Sequence, residues 1–544
     1  MRNRICRSSG LGFLPATVVA SIACAATVAA APQVPDVIVF DVGTNGTNTN
    51  DIIYWGTNNP GTIAAYNFAT QSCNAGTGAL DWFTNAGDTR HPVIAQNMFR
   101  LKDGRFEHIG YSWLKHGFCA LSEVESGCSP CAPTDCATLG VGCADTYWAM
   151  LNDGAQGRSK RFVNAAEGTH VEGGGQPTGG SIVRGRLQVR VEDIDPAQNP
   201  GAEWFIEGQY VTADDTLAGN GGNNASWRRI EVNSKSNVAG GGPTHREEPA
   251  IFAWKNQDPE VEIQRITNTE GAFTTYYFLG HRVTRTSPNA WQYEYALQNL
   301  TSTQCAGAFS VPHHPTATVS NIDFHGTRYH SGDPFDQTPW PASESGTSID
   351  WATESFATNA EANALRWGTL YNYRFEANTP PEDGQVTIGL FEPGTNSSML
   401  VGGVAVPSEF IEKNDIDQPG GPPATGPTVA APLVIARNGS NHNPMGLEQQ
   451  APAALGSTWL GRLTEASTGV LVVGQGGPAE GIITEMGEVL IRPPYRTLPQ
   501  LGGRFGFHIP RDPDLIGATV WVQAAALGAR GWRLTNALDI TVGM

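Results

Sequence analysis

The chain has 544 residues, of which 40% are hydrophobic, and this length predicts roughly two to four domains with ordinary buried cores. Its 34 basic residues are outnumbered by 52 acidic ones, for a formal net charge of −18. That balance argues against nucleic acid or an anionic membrane as a partner, because both require a basic footprint. The 64 glycines and 36 prolines indicate many turns and few long helices.

The first thirty residues have the pattern of a secretory signal peptide. Arg2, Arg4 and Arg7 form a basic start, and a run of apolar and small residues from 14 to 30 follows it. The run ends in the small residues Val-Ala-Ala, which is a cleavage pattern. No later segment approaches the ~20 apolar residues that a transmembrane helix needs. We therefore expect a secreted or otherwise extracytoplasmic protein, in the periplasm or at the cell surface, without a transmembrane segment.

Residues 31–175 are predicted to form an N-terminal β region that contains most of the cysteines. Seven cysteines remain after residue 30, and five of them fall within 25 residues. In an oxidising compartment such a group predicts a disulfide-stapled loop. The Cys-x-x-Cys spacing inside the group leaves a zinc knuckle as the alternative. The odd total leaves one thiol unpaired or bonded to another chain. The disulfide candidates are Cys119, Cys128, Cys131, Cys136 and Cys143.

Residues 176–411 are predicted to form an antiparallel β-sandwich domain. In the segment 291–298, aromatic and apolar residues alternate with polar ones, including Glu294 and Gln298. This period of two predicts one buried and one solvated face, and residues 369–377 repeat the pattern. Half-solvated strands of this kind are typical of antiparallel sheets.

Two stretches rich in glycine and proline indicate boundaries. The first, 168–181, either separates the cysteine-containing region from the sandwich or is a long loop within one domain. The second, 412–431, lacks apolar periodicity and is predicted to be a linker. Residues 432–544 are the size of one small β-domain. The predicted fold class is therefore all-β and multidomain, with antiparallel sandwich-like sheets and a small C-terminal β-domain.

Strong catalytic motifs are missing from the sequence. It contains no Gly-x-Ser-x-Gly elbow, no His-Glu-x-x-His pair and no P-loop. Segment 97–121 concentrates basic residues in an otherwise acidic chain, and Ser112 and His116 lie four apart in it. Because nothing positions a third group beside them, we interpret this segment as structural. Paired carboxylates for glycoside hydrolysis would leave no local signature.

Residues 321–336, with the sequence NIDFHGTRYHSGDPFD, hold two histidines and three aspartates. On a strand, Asp323 and His325 would share one face because they are two positions apart. Two imidazoles and a carboxylate suit zinc, whereas Asp333 and Asp336 with backbone carbonyls suit calcium. The metal candidates are therefore Asp323, His325, His330 and Asp333, with calcium or zinc as the cofactor. The competing interpretation is a solvated strand face and a turn held by aspartate side chains.

Four segments resemble a recurring group of secreted, uncharacterised bacterial β-rich proteins, and they occur in the same order. They are HPVIAQNMFRLKDGRFEHIGYSWLKHGF from His91, WQYEYALQNL from Trp291, NIDFHGTRYHSGDPFD from Asn321 and NALRWGTLYNYRF from Asn363. The tail from Gly502 resembles a small C-terminal β-domain common in exported proteins. The resemblance covers most of residues 36–400 and 432–544 and implies export and a β-rich architecture. It implies no catalytic residues, because the group has no assigned activity. The histidine-rich segment 311–319 departs from the group.

Two hypotheses about function follow from these observations. The leading one is a non-catalytic binding or structural role outside the cytoplasm, with a glycan or a cell-surface protein as the partner. Export, the β-sandwich pattern, the acidic balance and the missing catalytic motifs motivate it. The alternative is an extracellular metal-dependent enzyme or hydrolase that uses the His/Asp cluster at 323–336.

Overall fold

The computed structural model describes residues 33–409, except 47, 86, 172–179 and 288, and residues 433–542 with short gaps between strands. The predicted signal peptide and linker lie outside the described residues. The chain divides into two compact units, Met1–Glu412 and Lys413–Met544. This division falls at the start of the stretch that the sequence predicts to be a linker.

Antiparallel sheets make up most of the regular structure, which confirms the all-β fold class. The described α-helices are short: Val191–Ile194 (α1), Ala213–Leu217 (α2) and Ile251–Gln257 (α3). Two 3-10 turns occur at Gly154–Gln156 and Lys160–Phe162. Within the described part of the chain, no helix has the length and apolar character needed to cross a bilayer.

The first part of unit 1 contains one large sheet and several small ones. Its strands are Val37–Val42 (β1), Ile52–Thr57 (β2), Ile63–Phe68 (β3), Thr70–Asn74 (β4), Leu80–Asp81 (β5), Val93–Lys102 (β6), Arg105–Tyr111 (β7), Lys115–His116 (β8), Thr138–Leu139 (β9), Ala144–Tyr147 (β10), Val163–Asn164 (β11), Thr169–His170 (β12), Leu187–Arg190 (β13), Glu203–Val211 (β14), Ala225–Ser234 (β15) and Asn237–His245 (β16). The large sheet has the order β16-β15-β14-β6-β7, with β8 on β6, and a smaller one has the order β13-β3-β2. Strands from both sides of residue 175 therefore share sheets, so the glycine-rich stretch near that position lies inside one unit.

The second part of unit 1 is a β-sandwich. Its strands are Glu262–Glu270 (β17), Phe273–Ser287 (β18), Ala290–Asn299 (β19), Ala306–Pro312 (β20), Val319–His325 (β21), Ala342–Glu344 (β22), Ser348–Ala352 (β23), Thr369–Ala377 (β24), Pro381–Leu390 (β25) and Ser398–Pro407 (β26). One sheet has the order β17-β18-β19-β24-β21 and the other β22-β23-β20-β25-β26. Their facing side chains form a core in which Tyr295 and Tyr373 pack against Phe309 and Trp351. The predicted sandwich is therefore present, and large aromatic side chains fill it.

The outer face of strand β19 differs from the sequence expectation. The alternating pattern predicts that Glu294 and Gln298 face solvent, but both are buried. This face packs towards the large sheet of the first part, where Phe106 and Phe205 share a core with Leu370. The polar residues are accommodated because they find partners there. Glu294 accepts hydrogen bonds from Arg105 and Arg374, which satisfies its charge without solvent.

A β-bulge interrupts the alternation of strand β21. Strict alternation would place Val319 and Asp323 on the same face. The register against β24 shifts between Ser320 and Asp323, and Asn321 has a φ of 51°. One extra residue turns the strand over, so Val319 packs on the sandwich core while Asp323 points outwards.

Unit 2 is a small β-domain. Its strands are Leu433–Arg437 (β27), Leu447–Ala451 (β28), Thr458–Leu463 (β29), Thr468–Gly474 (β30), Pro478–Thr484 (β31), Gly487–Ile491 (β32), Tyr495–Leu501 (β33), Arg504–His508 (β34), Thr519–Gly528 (β35) and Gly531–Thr541 (β36). The main sheet has the order β27-β36-β35-β30-β33, and β28-β29-β34 forms a second one. Trp459 lies fully buried in the core with Leu471, Val522 and Ile540.

Candidate functional site

A cavity of about 630 Å³ opens in unit 1 and is the candidate functional site. Its walls come from separate parts of the chain: residues 160–171, 303–305, 329–335 and 360–369, with Glu392. An apolar cluster supports one wall, since Val163 and Trp367 pack there with neighbours from β6 and β14. The volume lies within the range of about 300 to 1,000 Å³ that is typical of small-molecule sites.

Lys160 lies in the wall of the cavity and is 6% exposed. Its Nζ donates to Asn97 Oδ1 at 3.2 Å and to the Gly368 carbonyl at 2.9 Å. The ammonium group also lies over the Tyr111 and Trp367 rings, 4.7 and 5.2 Å from their centroids. Burial lowers the pKa of Lys160 to about 7, although the Glu207 and Asp333 carboxylates oppose this shift. Gly368 suits this contact because a Cβ there would lie 2.7 Å from the Lys160 Nζ.

The turn after strand β21 supplies another wall, through Tyr329 and Phe335. The two rings lie 5.0 Å apart, and the Arg366 guanidinium lies 3.6 Å from the centroid of Phe335. Arg366 also donates to the Ala360 and Ala362 carbonyls, which fixes its position. The predicted ligand-rich segment 321–336 therefore does contribute to the candidate site, but with aromatic residues that the sequence did not single out.

Acidic groups balance the cations around the cavity. Arg161 and Glu361 form a long ion pair of 3.9 Å between half-exposed side chains. Burial raises the pKa of the Glu392 carboxyl, although Arg366 opposes that shift. Burial also raises the pKa of the Cys305 thiol to about 12, so this cysteine is not a thiolate at neutral pH. The charged lining is thus mixed in sign.

The predicted metal ligands of strand β21 have protein partners. The carboxylate of Asp323 is 57% exposed and accepts from Arg105 at 2.7 Å. His325 is half-buried, and burial lowers its pKa while the nearby Glu107 carboxylate opposes the shift. Their ligation of zinc or calcium stays a prediction.

The two predicted ligands in the following turn are also engaged. The ring nitrogens of His330 lie 2.7 Å from the Ser331 carbonyl and 3.0 Å from the Arg186 carbonyl. Asp333 accepts from Tyr111 at 2.7 Å and from Ser159 at 2.5 Å. These bonds tie the turn to the first part of unit 1 and so hold one wall of the cavity. A calcium or zinc ion at these two residues remains a prediction.

Three other histidines converge: His91, His116 and His170. One donor nitrogen from each histidine lies within 4.8 Å of the other two. In the described part of the chain, no other group of three His, Cys, Asp or Glu side chains meets this criterion. The His91 Nε2 lies 3.0 Å from the His116 Nδ1. The centroid of the His170 ring lies 4.8 Å from the centroids of both other rings, tilted against His91 and edge-on to His116. Burial lowers the pKa of His116 to about 3, and the two neighbouring rings add to the effect. No local spacing signals this cluster, because each histidine comes from a different segment.

The cysteine-rich loop contains two disulfides. Cys128 bonds to Cys73, and Cys131 bonds to Cys143. The two cysteines of the Cys-x-x-Cys spacing thus belong to different disulfides, which does not fit the zinc-knuckle alternative. The remaining candidates, Cys119 and Cys136, are free and exposed, and Cys305 is free and buried. Cys73 is not among the five disulfide candidates from the sequence, because it lies far from them in the chain.

The cavity lining combines apolar faces with polar groups and charges. Lys160 is engaged by two protein acceptors, and Cys305 is held as a neutral thiol. Aromatic rings, amides, hydroxyls and charges of both signs line the same space. Such a lining offers donors and acceptors to a neutral polar ligand and apolar faces to its carbon skeleton.

Comparison with known proteins finds no relative by sequence and a weak similarity among solved structures. No family model matches the chain. No curated protein matches it either. Among solved structures, dimeric latent PorU from Porphyromonas gingivalis is similar at 10% identity with a TM-score of 0.12, over 93% of this chain and 34% of that chain. A likeness at this level carries no argument about fold or function.

Proposed function

We propose that this chain is an exported, non-catalytic binding protein that takes a small hydroxyl-rich ligand, such as a terminal segment of a glycan, in the cavity of its first unit. The observation that carries the proposal is the mixed lining of the 630 Å³ cavity. Aromatic rings can pack on the carbon skeleton of a sugar, while amide, hydroxyl and carboxylate groups bind its hydroxyls.

The fixed positions of the cavity side chains support a binding role. Arg366 is held by two carbonyls and by the Phe335 ring, and Tyr329 donates to the Ala364 carbonyl. Preorganised side chains lower the entropic cost of binding. The signal-like N-terminal sequence and the two disulfides support a location outside the cytoplasm. The predicted kinship with secreted β-rich proteins of unknown activity agrees with this proposal.

A glycan array with the purified protein, followed by calorimetry on the best ligand, tests the proposal. Phe335→Ala removes a ring from the wall, and Glu392→Gln removes a charge, so each should weaken binding at least about tenfold. Glu354→Gln is the matched control, because this exposed glutamate lies outside the cavity lining. Mass spectrometry should recover the bound glycan unchanged. Cleavage of the glycan, or binding that survives both cavity variants, would contradict the proposal.

A further inference from the structure

We propose that His91, His116 and His170 form a binding site for a divalent transition-metal ion, with zinc as the best-fitting ion. This site is distinct from the His/Asp segment that the sequence singled out. It also stands independently of the proposed ligand in the cavity, since its evidence is the geometry of the three imidazoles. Imidazole nitrogen is a preferred ligand for zinc, and sets of three histidines with an open fourth position are typical of non-structural zinc sites.

The spacing of the donor atoms is close to what zinc requires. Zinc–nitrogen bonds of about 2.0 to 2.1 Å in a tetrahedral arrangement place the nitrogens about 3.3 Å apart. The donor atoms of the three histidines lie within 4.8 Å of one another, and one pair is already at 3.0 Å. Side-chain rotations that move the donor nitrogens by on the order of an ångström would therefore complete the tetrahedral arrangement without a change in the backbone.

The scaffold holds the three histidines in place. His116 on β8 lies opposite Val93 on β6, and Val93 follows His91 by two residues. His170 on β12 lies opposite Val163 on β11. Val93 and Val163 pack together in one buried apolar cluster. Ligands on paired strands over a common core are preorganised, which favours a defined metal geometry.

One nitrogen of the cluster lacks a hydrogen bond. The Nε2 of His116 is buried and has no hydrogen-bond partner in the described part of the chain. Buried polar atoms are normally satisfied, so an atom without a partner calls for an explanation. A metal ion would supply one if His116 coordinated through this Nε2, in place of the Nδ1 that lies 3.0 Å from the His91 Nε2.

The charges around the cluster indicate which fourth ligand it would accept. Arg158 and Lys115 are the charged side chains among the largest influences on the pKa of His116, and both are cationic. Three neutral imidazoles do not compensate the positive charge of the ion. We therefore expect an anionic oxygen as the fourth ligand, from hydroxide, a carboxylate or a phosphate. Because His170 also lines the cavity, the site lies beside the space where such an anion could enter.

The test is metal binding by the full chain, purified without a polyhistidine tag. Elemental analysis after dialysis against zinc should give one ion per chain. The dissociation constant for zinc should rise more than about 100-fold in each of the variants His91→Gln, His116→Gln and His170→Gln. Loss of a residue that only hydrogen-bonds a metal ligand already lowers metal affinity by about 10- to 100-fold. His281→Gln is the matched control, because His281 is buried like His91 and His170 but lies outside the cluster. Substoichiometric zinc in the wild type, or unchanged affinity in the three variants, would overturn the proposal.

X-ray absorption on the zinc-loaded wild type gives an answer that does not require the variants to fold. The expected spectrum shows about three imidazole nitrogens at about 2.0 Å. Zinc–sulfur distances near 2.3 Å would instead place the ion on Cys119 and Cys136 and would overturn the assignment. Neither outcome depends on whether a glycan binds in the cavity.

Discussion

Replacement of Lys160 by methionine should change how the stability of the protein depends on pH. Burial lowers the pKa of Lys160 from 10.5 to about 7. Between those two values the unfolded chain holds a proton that the folded protein has released. Stability therefore rises with pH through this window, because the unfolded state binds more protons. The methionine variant lacks this group and should lack the corresponding rise.

The size of the effect follows from the two pKa values. Each unit of pKa difference corresponds to about 1.4 kcal/mol. Integrated from pH 7 to pH 9.5, the titration of Lys160 contributes about 3 kcal/mol of stability to the wild type. The lost hydrogen bonds to Asn97 and Gly368 change the stability of the variant by an amount that does not depend on pH, so they cancel from the comparison.

The assay is urea denaturation of the wild type and the Lys160→Met variant at several pH values from 7 to 9.5, followed by tryptophan fluorescence. The free energy of unfolding of the wild type minus that of the variant should increase by about 3 kcal/mol over this range. The exposed Lys255→Met is the matched control and should show no such trend. A difference that stays constant, or that decreases with pH, would refute the account of Lys160 as a buried, weakly basic amine.

Two further predictions concern the disulfide loop and the interior of unit 1. Cys136 raises the pKa of the exposed Cys119 thiol, which indicates that the two thiols are neighbours. We expect them to form a third disulfide, so thiol titration of the unfolded, unreduced chain without residues 1–30 should find one free thiol, at Cys305. Three free thiols would contradict this. Arg105→Met leaves the buried Glu294 with one fewer cationic partner and should lower the free energy of unfolding by about 3 kcal/mol. Adding Glu294→Gln should recover part of that loss in a double-mutant cycle, and additive effects of the two changes would argue against the coupling.

The sequence predicted the strands well because local alternation carries that information. Tyr293 and Tyr295 alternate with polar neighbours, and they do face the sandwich core. The same alternation misled at Glu294 and Gln298, because a polar side chain that finds a partner across a sheet interface has the same local pattern as one in solvent. The bulge at Asn321 was also invisible, since a single inserted residue leaves no compositional trace.

The candidate site was harder to predict than the fold. Segment 321–336 was singled out for its histidines and aspartates, but it lines the cavity with Tyr329 and Phe335. The histidine cluster brings together His91, His116 and His170 from separate segments, and two strand pairs packed on a common apolar cluster make them neighbours. Chemistry assembled from distant strands has no local spacing, so only the tertiary structure reveals it.

The central claim is that the cavity of unit 1 binds a ligand, and hydrogen exchange measured by mass spectrometry tests it most directly. The purified chain is compared with and without its best glycan from the array. Binding in the cavity predicts slower exchange in the wall segments 160–171, 329–335 and 360–369, with unchanged exchange in unit 2. Protection confined to other segments, with these three unchanged, would contradict the claim.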